Sequence, residues 1–129
     1  NFVHRSLNLK KIEIFEPHFR RNFIHIRDVV NGIIFSIENF DKLKSNIYNL
    51  GLSTANITKL QLVKKIKQHN KNFKIKVIKN RKDPDQRDYI VSNKKILSTG
   101  FKFKVGIDEG IKELVTEIPK LPDKVFSNI

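Results

Sequence analysis

Few residues in this chain have the chemistry to grip an anion or move a proton, and their spacing narrows what they can do. Arg21 opens the stretch Arg21-Asn22-Phe23-Ile24-His25-Ile26-Arg27-Asp28-Val29-Val30, a cation at the entry to a short apolar strand with an aspartate ahead of an apolar helix. A second cluster gathers Arg81, Lys82, Asp83, Asp85, Arg87 and Asp88 around Pro84. A guanidinium offers a planar fork of donors that matches phosphate or carboxylate, whereas a lysine offers a point charge. Proton transfer is poorly served. Tyr48 is followed four places on by Leu52 and Tyr89 by Asn93, so neither tyrosine has a lysine at that spacing. His25 alternates with Ile24 and Ile26 and reads as a structural histidine of a strand. The four histidines lack an H-E-x-x-H pattern, and there is no cysteine, so thiolate zinc sites, disulfides and a cysteine nucleophile are excluded. Gly32, Gly51, Gly100, Gly106 and Gly110 do not form the glycine-rich turn that cradles a pyrophosphate at a helix N-terminus.

The elements that must position these residues alternate between helix and strand. Residues 1–9 are compatible with the end of a helix carrying Phe2, Val3 and Leu7. Residues 10–15 alternate, with Ile12 and Ile14 on one face, and predict a strand. Residues 23–26 predict a second strand, and Asp28 is placed to cap a helix with Val29, Val30, Ile33, Ile34 and Ile37. Residues 46–50 predict a short buried strand ended by Gly51. Thr58 and Gln61 form a capping-box pattern ahead of Leu62, Val63 and Ile66. Residues 74–78 predict another strand. Ser92 is placed to cap a short helix that Gly100 ends. Asp108 and Glu109 begin a last helix through Ile118, stopped by Pro119. The expected organisation is one α/β unit over 1–118 and a tail over 119–129.

At 129 residues with 39% hydrophobic content, the chain has material for one core. No secretory leader or membrane span is expected, and the lack of cysteine fits a cytoplasmic protein. The net charge of +13 has two readings. One is attraction to an anionic partner such as nucleic acid, an acidic membrane or a nucleotide phosphate. The other is coding bias, since Lys, Asn and Ile supply 51 of the residues and lysines outnumber arginines 20 to 6. The lysines are dispersed, and the phenylalanines sit in apolar patterns instead of alternating with cations, which disfavours a nucleic-acid-binding domain.

Five motifs in order resemble the nucleotide-sugar epimerases and dehydratases, the extended short-chain dehydrogenase/reductases. Arg21 to Val30 is similar to R-[DN]-[FY]-I-H-[VI]-x-D-[VL]. Asn1-Phe2-Val3 resembles N-x-[FM]-[VP], and Ile47-Tyr48-Asn49-Leu50-Gly51 resembles x-Y-N-[VL]-G. Asp85-Gln86-Arg87-Asp88-Tyr89-Ile90-Val91-Ser92 resembles the loop before a K-x-x-x-x-[GL]-[FW] helix, here Lys95 to Phe101. Gly106-Ile107-Asp108-Glu109-Gly110-Ile111 resembles the closing s-l-x-E-G-I helix.

The resemblance implies an α/β fold: the end of a Rossmann sheet with a small substrate-binding subdomain, as the C-terminal part of such an enzyme. It implies a nucleotide-diphosphate sugar as ligand. Arg21 would contact diphosphate or ribose, Arg87 phosphate, Asp85 the ribose hydroxyls, and Asn1 would lie near the diphosphate. Arg81 or Lys82 replaces Arg87 under another loop register. No catalytic residue and no metal site are expected. No cofactor is expected in this chain, with NAD or NADP implied for the full-length enzyme. The chain alone is expected to be inactive, as the sugar-nucleotide-binding portion of an enzyme or as a binding-only remnant complementing a separate cofactor-binding half.

Overall fold

A computed structural model describes residues 1–79 and 87–122. The chain begins with helix α1 (Phe2–Asn8) and strand β1 (Lys11–Phe15), then strand β2 (Arg20–Asn22) and helix α2 (Ile26–Glu38). A single turn, α3 (Phe40–Leu43), precedes strand β3 (Asn56–Thr58) and helix α4 (Lys59–His69). Strand β4 (Lys74–Ile78), the short helix α5 (Lys94–Leu97) and helix α6 (Ile107–Glu117) complete the order. The architecture is mixed α/β with a parallel strand pair, in agreement with the fold class read from the sequence. β1 runs parallel to β4, with Ile12 beside Ile75 and Ile14 beside Val77. β2 runs antiparallel to β3, with Arg21 beside Ile57.

The core forms where β1 meets three helices. Alternation buries Ile12 and Ile14 on one face, and α1, α4 and α6 close over it with Val3, Leu62, Val63, Ile66 and Ile111. Each such side chain removed from water contributes roughly 1.5–3 kcal/mol. The capping box starts α4 as expected. The Gln61 N–H donates to Thr58 Oγ1 at 3.1 Å, and the Thr58 N–H donates to Gln61 Oε1 at 2.8 Å. Asp108 and Glu109 occupy the first turn of α6, where carboxylates complement the helix dipole, and Asp108 also takes Lys65 Nζ of α4 at 2.7 Å. Gly100 follows α5 with φ 98°, a left-handed conformation that glycine adopts without steric cost.

Four local expectations are corrected. Residues 20–22, not 23–26, form the strand, because its partner β3 is only three residues long and the chain turns into α2 at His25. His25, not Asp28, caps α2, with Nδ1 accepting the Arg27 N–H at 3.2 Å. Asp28 instead lies within the helix, fully buried, and its carboxylate accepts the N–H groups of Lys104 at 2.9 Å and Val105 at 3.0 Å. Asn93, not Ser92, occupies the cap position of α5. Residues 46–50 form no strand, since no described strand lies beside them to complete their hydrogen bonds, and Ile47 is 87% exposed.

Helix α2 packs inward through Asp28 and Gly32, with Gly32 set tightly against Leu50. Its apolar stripe of Val30, Ile33, Ile34 and Ile37 faces outward and continues into Phe40. Among the described residues no helix is long and apolar enough to cross a membrane.

Two outcomes follow from this packing. Asp28→Ala strips one buried and one part-buried amide of their acceptor and should cost about 3 kcal/mol in a denaturant melt, against little change for Asp41→Ala on the surface. The outward stripe should also drive self-association of the isolated chain. Sedimentation should show oligomers that Ile33→Asp with Ile37→Asp converts to monomer, and a strict monomer at high concentration before substitution would contradict this.

Candidate functional site

The densest polar constellation lies where β2 and β3 meet the segment 87–93. Asn22 and Asn56 face each other across the two strands, with Asn22 Nδ2 donating to Asn56 Oδ1 at 3.0 Å. Each amide then mimics a strand partner. Asn22 accepts the Leu52 N–H at 3.0 Å and donates to the Leu52 carbonyl at 2.8 Å. Asn56 accepts the Val91 N–H at 2.9 Å and donates to the Val91 carbonyl at 3.0 Å. Gly51 is required beside this network, because a Cβ there would lie 2.3 Å from Asn22 Oδ1.

Three residues from Val91, Asp88 makes a second attachment. Its carboxylate accepts the backbone N–H of Arg20 at 2.8 Å, Arg20 Nε at 3.0 Å and Arg20 Nη2 at 3.0 Å. These donors hold the Asp88 carboxyl down to about 2 from its ordinary 3.8, the guanidinium bonds first and the backbone N–H next. Between the two attachments the Arg21 guanidinium carbon stands 5.4 Å from the centre of the Tyr89 ring, and Arg21 Nη1 donates to the Arg20 carbonyl at 2.8 Å. A cation over an aromatic face is attracted by the ring quadrupole.

The residues singled out from the sequence fall in three places. Arg21 and the segment bearing Arg87 come to the same edge of the β2–β3 pair. Asp85 lies outside the described residues, as do Arg81 and Lys82. Asn1 sits before α1 and lines a separate, largely apolar cavity of about 540 Å³ with Phe2, Phe23, His25, Leu62 and Leu114. His25 is structural, capping α2 with Nε2 at 3.6 Å from Glu113, which also pairs with Arg27. Among the described residues no cluster of His, Asp or Glu could hold a metal. Sequence reasoning missed Arg20, Asn22 and Asn56. The available signal was a pair of asparagines at strand positions, where their local hydrogen bonding usually disfavours them.

No protein-family model matches the chain. Solved structures do. UDP-glucose 4-epimerase from Thermotoga maritima, solved with UDP-glucose, is similar at 24% identity and a TM-score of 0.73, over 92% of this chain and 38% of that one. ADP-L-glycero-D-manno-heptose-6-epimerase from Helicobacter pylori is similar at 25% identity and 0.70, over 93% and 37%. GDP-D-glycero-L-gluco-heptose synthase from Campylobacter jejuni, solved with NADPH, is similar at 23% identity and 0.68, over 92% and 35%. The structural neighbours are thus NAD(P)-dependent nucleotide-sugar enzymes of the extended short-chain dehydrogenase/reductase kind. The match is consistent with the C-terminal part of that fold, and the chain spans little more than a third of their length.

The expectation of no cofactor for this chain is corrected by the same comparison, since the heptose synthase that shares its fold was solved with NADPH. That expectation rested on the missing glycine-rich turn in a chain that covers 35% of the heptose synthase. Gly32, Gly51 and Gly110 pack closely against Leu50, Asn22 and His25, whereas nothing lies within 4 Å of a Cβ placed at Gly100 or Gly106.

The Asp88 carboxyl should titrate near 2 in the folded chain and return toward 3.8 in Arg20→Ala, as followed by carboxyl carbon NMR. A depressed folded value means that the pairing favours the folded state fully above pH 3.8 and is lost as pH falls toward 2. Below that range the Asp88 end of the 87–93 segment should loosen before the core melts, while Val91 stays bound to Asn56.

Proposed function

We propose that residues 1–118 are the sugar-nucleotide-binding part of an NAD(P)-dependent nucleotide-sugar epimerase, dehydratase or reductase. The observation that supports this best is the contact of Arg20 and Arg21 with Asp88 and Tyr89, which joins two cationic segments 68 residues apart at one strand edge. In this reading Arg21 and Arg87 hold the diphosphate, since guanidinium forks match phosphate oxygens. Asn1 contributes from the α1 side, and Asp85 from the loop is read as a ribose contact. The ligand class is a nucleotide-diphosphate sugar, as for the epimerase solved with UDP-glucose. The assembled protein is proposed to use NAD or NADP and to work in the cytoplasm.

The partner in this reading is a dinucleotide-binding half, as a neighbouring segment or a separate chain. It would lay an apolar sheet face on Val30, Ile33, Ile34 and Ile37 and offer a strand to residues 46–50, where Ile47 is exposed. An outward apolar stripe on a soluble surface marks an interaction site. The substrate contacts come from this chain, and the redox chemistry belongs to the assembly.

Each charged hydrogen bond to phosphate is worth about 1.5–3 kcal/mol, so Arg21→Ala or Arg87→Ala should weaken sugar-nucleotide binding roughly 10- to 150-fold by titration calorimetry. Arg5→Ala on α1 should change it little. Equal losses in all three variants would mean bulk charge attraction and would sink the site assignment.

A further inference from the structure

Among the described residues, the hydrogen bonds that hold the segment 87–91 to β2 and β3 each use a side chain. Among the described residues no main-chain bond joins it to either strand. One clip is Asp88, whose carboxylate sits where a neighbouring strand's carbonyl would accept the Arg20 N–H, and also takes both ends of the Arg20 fork. The other clip is Asn56, which reproduces a donor–acceptor strand pair with Val91. Tyr89 lies between the clips, under the Arg21 guanidinium. The Asn56 clip is tied into the strand pair through Asn22, whereas Asp88 and Arg20 are 38% and 43% exposed. An exposed pair contributes little to global stability. Its reach is local: it ties the residue before Tyr89 to β2, where Tyr89 meets Arg21.

We infer that the Arg20–Asp88 pair is a positioning latch for the diphosphate site, acting through the placement of Arg21 and Arg87 without touching the ligand itself. The inference rests on the sugar-nucleotide reading and adds to it two residues with a distinct role. A main-chain ladder would hold this segment whatever the side chains; with Val91 clipped by Asn56, the placement of residues 88–89 is left to the Arg20–Asp88 pair, so a single substitution can loosen that end.

The test uses the whole 129-residue chain, with uridine diphosphate and guanosine diphosphate as probes. Asp88→Asn keeps the side chain's size and removes the charge that binds the Arg20 fork. Amide hydrogen exchange at Tyr89 to Val91 should then speed up while exchange in α4 and the melting temperature stay unchanged. Affinity for the better probe should fall roughly 5- to 150-fold, the usual range of coupling between sites. The charge-swapped pair, R20D with D88R, should recover part of both losses, because it restores the side-chain fork though not the bond to the Arg20 N–H. Unchanged exchange at Tyr89 to Val91 in Asp88→Asn overturns the latch. So does faster exchange with undiminished affinity in a chain where Arg21→Ala does weaken binding. Absence of probe binding in the unsubstituted chain rejects the diphosphate reading and the latch built on it, and is distinguished from failure of the latch alone by that same control.

Discussion

The structure depends on short polar side chains standing in for main-chain partners that the two small sheets cannot supply. A backbone N–H or C=O withdrawn from water without a partner is costly, so every loop that packs against a strand or helix must find one. Here Asp28 takes the amides of Lys104 and Val105, Asn22 takes both polar groups of Leu52, Asn56 takes both of Val91, and Asp88 takes the amide of Arg20. These bonds connect α2 to the strand-like approach to α6, and β2 and β3 to the flanking segments on either side. The apolar core around β1 provides the driving force, but it does not fix where the loops lie. The side-chain bonds do.

This division explains what was legible in the sequence. Periodicity exposes apolar burial, so Ile12 and Ile14 identified β1, and Leu62, Val63 and Ile66 identified the inward face of α4. Thr58 and Gln61 were legible because both partners of a capping box lie within one turn. Asp28 was misread because its sequence position suits a helix cap, whereas its partners lie 76 and 77 residues away. Nothing local distinguishes an aspartate that caps its own helix from one that reaches a distant loop. The same holds for Asn22 and Asn56, whose partners Leu52 and Val91 are 30 and 35 residues removed. Residues 46–50 were misread for a different reason. Their short apolar stretch ahead of Gly51 is strand-like, but a strand is defined by its neighbour, and none is described beside them.

The candidate site was partly legible. Arg21 and Arg87 stood out because guanidinium forks are scarce among the cations, and β2 meets the 87–93 segment through Arg20 with Asp88 and Arg21 with Tyr89. What the sequence did not reveal is that Arg20, not Arg21 or Arg87, pairs with Asp88. Adjacent strand residues point to opposite faces, so Arg20 and Arg21 cannot serve the same partner. One is drawn to the carboxylate, and the other turns to the aromatic face of Tyr89. The doublet Arg20-Arg21 therefore divides into a residue that builds the edge and a residue proposed to use it.

The two unusual surfaces of the molecule are related through α2. Its inward face carries Asp28 and Gly32, which hold the 104–105 segment and Leu50, and Leu50 leads through Gly51 to the Leu52 backbone that Asn22 binds. Its outward face carries the apolar stripe. A partner seated on that stripe would therefore press on the element whose other side supports the strand edge bearing Arg21. A Cβ at position 32 would lie 2.7 Å from Leu50, so the helix and Leu50 are in direct contact, and a cavity of about 310 Å³ opens beside them between Ile33, Ile37, Phe40 and Tyr48. Covering the stripe and ordering the site are then linked by one helix and one tight contact.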